Sequence, residues 1–509
     1  MGLRERLQVK QGDASLATEA VASNKDLDPI PLDSPKRTWR WPSLLGFWVA
    51  EAFSISMYQV TSTSVSKGLS APMAIAAVVV GHVLVCIPAM LDGYVGAIFG
   101  INFPIYTRAS FGMKGSYFAV FVRGIVAIIW FGTQTYQAGQ CVSTMINAIW
   151  PSFNHFPNHL PSSAPLLWLK VSKLRYLFIV KTCIMPIFGI VLFAWAVKAA
   201  NGFGPVFSKP SKITDGTPVA VVFLQCVTSA IGPKATLALN MPDFTRYAKR
   251  PREVFWTQAV GLVVLVSLCG VLGATVSSAS EVIYGVQTWN PLEVAVLWNN
   301  RAAQFFAAFC WSLAAIGTNI SANSVSFSND LALWFPKYVD TRRGAYICAL
   351  LSILSMPWYI QNSAASFSSF LGGYSLFLGA IAGVIVVDYW VCRGRRLRLR
   401  SLYEAHGTHY FTKGVNIRAI VAFVCGIAPN LPGLAAVTGQ GGVPKGASYL
   451  YSCSWLVSIV VSGVVYHLLF LVWPFEVEEK VIVLEGMEEG DRDVRVEEGV
   501  VPKKETVSA

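Results

Sequence analysis

Trp130, Gln134 and Gln137 fall at i, i+4 and i+7, so a helix carrying them presents an indole followed by two carboxamides on one face. That set suits a flat, hydrogen-bonding heterocycle. The indole stacks on the ring, and a carboxamide offers its polar edge both a donor and an acceptor. The rival assignment is ordinary packing for Trp130 and interhelical hydrogen bonding for the glutamines. Further on, Gly317-Thr318-Asn319-Ile320-Ser321-Ala322-Asn323 puts Asn319 and Asn323 on a shared face, fit either for a substrate or for a small-residue helix contact. Lys234 follows Gly232-Pro233 deep in an apolar run, where an ionisable residue is costly and marks a functional site by default. Snorkelling to an interface is the alternative, and Asp243 and Arg246, two turns or more further on, argue against it. Glu51 precedes the serine-rich Phe53-Ser54-Ile55-Ser56, and a buried carboxylate can carry a proton. A salt-bridged structural acid is the competing role. Finally, Phe370-Leu371-Gly372-Gly373-Tyr374-Ser375 joins a glycine pair to two hydroxyls. Leu371, Gly372 and Gly373 then read as a moving gate, or as close helix packing.

The elements that must position these residues are membrane helices. The chain has 509 residues, 54% hydrophobic and 13% charged, with a mean hydropathy of +0.51, far more apolar surface than a soluble domain can hide. Apolar stretches of about 20 residues, enough to cross a core of roughly 30 Å as helix, are expected at 47–66, 73–99, 116–150, 176–200, 219–239, 254–277, 302–328, 345–360, 367–390, 417–437 and 449–473. Two of them carry polar interruptions, at Glu51–Ser56 and at Ala230–Lys234. Unwound backbone at membrane depth is tolerated only where it lines a cavity, so paired breaks point to a transporter's substrate site.

The net charge of +12 comes from basic clusters between spans, which set orientation and do not indicate nucleic acid. Arg108 and Lys114, Lys170 to Arg175, Arg246 to Arg252, Lys337 to Arg343 and Arg393 to Arg400 all belong inside. Only Ala164 to Leu169 then separates the uncharged outer loop at 154–163 from the inner Lys170, so a fourth helix between 161 and 170 reads as truncated. The ten cysteines, among them Cys86, Cys183, Cys269, Cys310 and Cys425, form no CxxC pair, and the six histidines form no HExxH pattern. No metal or other cofactor is indicated. No nucleophile and base arrangement or phosphate loop supports an enzyme. The first 40 residues have no apolar core for a cleaved signal. They read as a cytosolic, largely unstructured tail (1–40), followed by a transmembrane domain (41–474) and a second cytosolic tail (475–509) whose lysines suit ubiquitin-ligase or endocytic adaptors.

Taken in order, Gly68-Leu69-Ser70, Asn102-Phe103-Pro104 through Arg108-Ala109-Ser110-Phe111-Gly112, Trp130-Phe131-Gly132-x-Gln134, Asp243-Phe244-Thr245-Arg246-Tyr247 and Asp388-Tyr389-Trp390 resemble the nucleobase-cation-symport-1 family. The similarity runs from Trp39 to Trp473 and leans to the fungal uracil, allantoin and uridine permease branch. It implies an all-α polytopic membrane protein of leucine-transporter-like fold: five-plus-five inverted repeats around a midplane site, then two peripheral helices, with the fourth helix truncated here. It further implies stacking of a base on Trp130 and hydrogen bonds from Gln134 and Asn323, with Lys234, Tyr374, Ser375 and Ser56 as further contacts. Sodium-coupled relatives place a cation where Ala52, Ile55, Ala314, Gly317 and Thr318 fall. Fungal members are regarded as proton symporters, which makes Glu51 the expected coupling residue. The expected activity is therefore proton-coupled import of uracil, allantoin or a related ring across the plasma membrane, with both tails cytosolic if twelve spans form. The rivals are a nucleoside or thiamine cargo, and a non-transporting sensor or defective paralogue.

Overall fold

The computed structural model describes residues 8–9, 23–155, 174–208, 210–404 and 406–477, and among them there is no β-strand. The first expected span is a broken pair, α1 (Trp41–Ala52) and α2 (Ile55–Ser66). Phe53 and Ser54 between them are extended, and the Ser54 hydroxyl accepts from the amide of Met57 at 3.3 Å, which caps α2. Then come α3 (Ala71–Phe99), the short α4 (Phe103–Phe111), α5 (Gly115–Ile149), α6 (Leu174–Ala199) and α7 (Val219–Thr245). The second half holds α8 (Pro251–Tyr284), the short α9 (Pro291–Val296) and α10 (Arg301–Trp334). A second broken pair, α11 (Thr341–Ser352) and α12 (Pro357–Ile360), bends at left-handed Met356. The chain ends with α13 (Ala364–Cys392), α14 (Ile417–Val437), α15 (Lys445–Tyr451) and α16 (Ser454–Val472). Nine helices among the described residues are long and apolar enough to cross a membrane. With the two broken pairs they account for every span expected from hydropathy.

The second expected interruption falls elsewhere. α7 stays helical through Gly232-Pro233, and its one non-helical residue is Asn240 (φ −96°, ψ 15°). The glycine serves closeness there, not unwinding. A Cβ at Gly232 would stand 3.0 Å from the Leu371 carbonyl oxygen and 3.2 Å from the Tyr374 hydroxyl, so α7 and α13 nearly touch.

Small residues zip the helices into two groups. α1–α3, α7 and α8 form one, where a Cβ on Gly81 would lie 2.8 Å from the Val227 carbonyl oxygen and one on Gly270 would lie 2.7 Å from the Thr61 hydroxyl. α5, α10 and α11 form the other, around Ala127, Phe131, Phe327 and Cys348. α13 packs against α16 through Gly379 and Gly383. At the end carrying the basic loops, a buried Arg123–Asp330 ion pair and the Asn240–Ser326 hydrogen bond join α5, α7 and α10, and Asp243 accepts from the amide of Phe103 at 2.9 Å.

The expected fourth helix at 161–170 lies outside the described residues. Arg301 at the start of α10 donates to the carbonyl of Ala148, and Trp195 packs on Trp298 with centroids 5.0 Å apart. α5 and α6 therefore both end beside the start of α10 and run in the same direction. Residues 150–173 join the two, and of these the structure describes only those up to 155.

The N-terminal expectation needs correction. Residues 23–40 dock on the basic end. Leu27 is buried, Asn24 donates to the carbonyls of Pro336 and Val339, and the Arg37 guanidinium reaches the carbonyls of Ile30, Ala97 and Ala248. Low hydrophobicity suggests disorder, but here the segment supplies donors to a carbonyl in the last turn of α3 and to carbonyls in the loops after α7 and α10.

Candidate functional site

The indole of Trp130, midway along α5, is 2% exposed, and its N–H donates to the Tyr374 hydroxyl at 2.9 Å. α13 surrounds it with rings. Phe370 lies 5.5 Å away centroid to centroid, and Phe367 and Tyr374 each lie at 6.4 Å, near edge-on. Trp289 adds a ring behind Phe367. Neither Phe367 nor a ring role for Phe370 was read from the sequence; their spacing from Tyr374 on one helical face was the signal that could have found them.

One turn on, the two glutamines part company. Gln137 is spent in a chain of amides: it accepts from Ser56 (3.2 Å) and donates to Gln59 (2.9 Å), which donates to Gln361 (3.0 Å). Gln134 is buried, and its amide oxygen has no hydrogen-bond partner among the described residues. A buried amide oxygen left unpaired costs stability unless something supplies a donor. On α10 a π-helical turn, Asn319–Val325, carries the asparagines; such turns recur at functional sites. Asn319 donates to the Phe131 carbonyl and to Thr135, which pins it to α5, and Asn323 donates to Asn319 at 2.9 Å. The two do share a face.

Glu51 and Lys234 meet at the break. The Lys234 ammonium stands 4.0 Å from Glu51 Oε2, donates to the Glu51 carbonyl at 3.1 Å and lies 5.9 Å from the centre of the Trp48 ring. Ser321 donates to Glu51 Oε1 at 2.5 Å. The structure thus commits Lys234 to α1 and links the acid to the π-turn that carries Asn323. Of the expected cation residues, Ala52 and Ile55 flank the break, and Ala314, Gly317 and Thr318 line α10, where the carbonyl of Ala314 and the hydroxyl of Thr318 both receive the ammonium of Lys181. Lys181 was missed; its signal was a lone lysine within an apolar span.

Ser375 is buried, but its hydroxyl returns to the carbonyl of Gly372. Helix α13 is continuous across Leu371, Gly372 and Gly373. Leu371 packs on Gly232, whereas Cβ atoms at Gly372 and Gly373 would look toward Tyr451 and Leu434.

Two helix groups enclosing a buried ring, a free amide and an ion pair at a helix break define a membrane transporter. A family model described as permease for cytosine/purines, uracil, thiamine and allantoin matches residues 29–458. The chain belongs to that family, the nucleobase-cation-symport-1 transporters, and is a multi-pass membrane protein. It is 32% identical to the allantoin permease of Saccharomyces cerevisiae over 90% of this chain and 76% of that one. It is 31% identical to the uracil permease of the same yeast, over 89% and 76%. The transporter Mhp1 in its inward-facing conformation superposes with a TM-score of 0.71 at 20% identity, over 91% of this chain and 97% of that one. A closed conformation with bromovinylhydantoin bound gives 0.70 at 20%, over 89% and 97%. The fold is therefore the leucine-transporter-like one, as the resemblance implied.

Proposed function

We propose that the chain is a proton-coupled symporter that imports uracil, allantoin or a related planar nitrogenous ring across the plasma membrane by alternating access, with both tails cytosolic if twelve spans form. The observation that carries this reading is the unpartnered Gln134 amide one turn from an enclosed indole. In it, Trp130 stacks on the ring, Gln134 and Asn323 bind its edge, Tyr374 orients the indole, and Phe367 and Phe370 close over the substrate with Leu371 behind them. Ser56 and Ser375 shape the pocket through Gln137 and the α13 backbone. Glu51 takes the proton and Lys234 reports its charge state to the helix break. The permeases of known cargo among its relatives support the substrate class. Lysines in the C-terminal tail are acceptors for ubiquitin-ligase adaptors that set its surface lifetime.

The test is uptake of radiolabelled uracil and allantoin, at several external pH values, by cells lacking their own permeases. This chain, a version with a full fourth helix restored and Trp130→Ala are compared. Saturable uptake that rises at acidic pH and vanishes in a correctly trafficked Trp130→Ala supports the reading. One rival is a defective paralogue. Uptake by the restored version alone establishes that rival for this chain and the proposed function for the version with the full fourth helix. No uptake by either refutes the proposed function.

A further inference from the structure

Helix α6 buries one face, made of Lys181, Met185, Leu192 and Ala196, and exposes Ile187, Ile190 and Val191 on the other. Among the described side chains, Lys181 is the one charged residue on the buried face, and it is fully enclosed. Its ammonium donates to the Ala314 carbonyl at 2.9 Å and to the Thr318 hydroxyl at 2.6 Å. Its stem fills the space over Gly317, where a Cβ would stand 2.7 Å from the lysine Cδ. No carboxylate among the described residues lies within 4 Å of it. A buried ammonium is ordinarily matched by an acid. This one is held by a backbone carbonyl and a hydroxyl, neutral oxygens of the kind that surround a hard metal cation. Three elements meet Lys181 with ionisable groups at longer range: Glu51 from α1, Lys234 from α7 and Cys269 from α8. α10 meets it with the neutral Ala314 and Thr318.

We propose that the Lys181 ammonium is a built-in cation that occupies the α10 side of the break in place of a co-transported metal ion. The chain then needs no sodium, and Glu51 is left as the group that exchanges a proton with the outside. For its transport step this rests on the function proposed above. The geometry gives the coupling its route. Lys181 ties α6 to α10, while Glu51 is tied through Ser321 to the same α10 and through Lys234 to α7. A change of charge at Glu51 is therefore felt across the boundary between the two helix groups.

The experiment compares sodium chloride with choline chloride in two assays, thermal unfolding of the purified chain in detergent and uptake in cells. The wild type should unfold at the same temperature in both salts and transport equally in both. Lys181→Ala, which empties the space beside Ala314 and Thr318, should lose at least about tenfold of uptake in choline. Its residual uptake should no longer respond to external pH, and it should unfold at a higher temperature in sodium than in choline. Lys181→Arg keeps the charge on a longer stem and should fold and remain indifferent to sodium even if the alanine variant does not fold. A wild type that unfolds higher or transports faster in sodium overturns the proposal, as does sodium-dependent unfolding of Lys181→Arg or an unchanged pH profile in Lys181→Ala. If the wild type transports none of the substrates offered, the proposed function fails while the unfolding comparison still decides the role of Lys181.

Discussion

The break between α1 and α2 and the Gly232-Pro233 stretch of α7 look alike in sequence, each a polar interruption in an apolar span, yet only the first unwinds. The difference lies in what satisfies the backbone. At the first break, extended Phe53 and Ser54 free amides and carbonyls at a depth without water, and each needs a partner. Ser54 caps the amide of Met57, and Lys234 donates to the Glu51 carbonyl. In α7 the proline has no amide to orphan and deprives a single carbonyl, that of Ser229, of its helical donor, while Gly232 is occupied by a close contact with α13. The two places are complementary. One supplies the acceptors, and the unbroken other holds, at a fixed height, the cation that satisfies them.

That pairing can be broken from either side. Lys234→Ala strands the Glu51 carboxylate and its carbonyl in the interior and should have the largest effect. Loss of one member of a buried pair costs about 3–5 kcal/mol, read as a large fall in the detergent unfolding temperature together with loss of uptake. Glu51→Gln combined with Lys234→Met should recover most of that stability without recovering uptake. A double variant as unstable as the single one would contradict the pairing. Ser54→Ala removes the cap of α2 and should cost about 1 kcal/mol, a modest drop in unfolding temperature with the pH profile of uptake unchanged. Pro233→Ala tests the other half. Because α7 is already helical there, the change should move stability by less than about 1 kcal/mol and leave uptake within about twofold. A collapse of uptake in Pro233→Ala would mean that the second break is functional after all.

Much of this was legible from residue order. The spans, the break at Glu51–Ser56, the face bearing Trp130 and Gln134 and the shared face of Asn319 and Asn323 follow from hydropathy and helical period, which depend on near neighbours alone. Family membership was legible too, because motifs in a fixed order over most of the chain are hard to meet by chance. The parts that were not legible all concern partners distant in sequence. Gln134 and Gln137 are indistinguishable by spacing, and only the arrival of Ser56 and Gln59 from α2 shows which amide is spent. Segment 23–40 has the composition of a tail, and only the loop carbonyls after α7 and α10 beneath it explain why it is docked.

The sequence by itself therefore determined a polytopic helical protein, the polar interruption at Glu51–Ser56 and the ring-and-amide face. Apolar length and periodicity are local properties that a bilayer reads directly. Only the tertiary structure decided that α7 stays whole, that Lys234 belongs to Glu51 and that Lys181 sits on the oxygens of Ala314 and Thr318. The physical reason is that a buried polar group must find its partner wherever the packed helices bring one within about 3 Å. For these side chains that partner comes from more than 100 positions away along the chain.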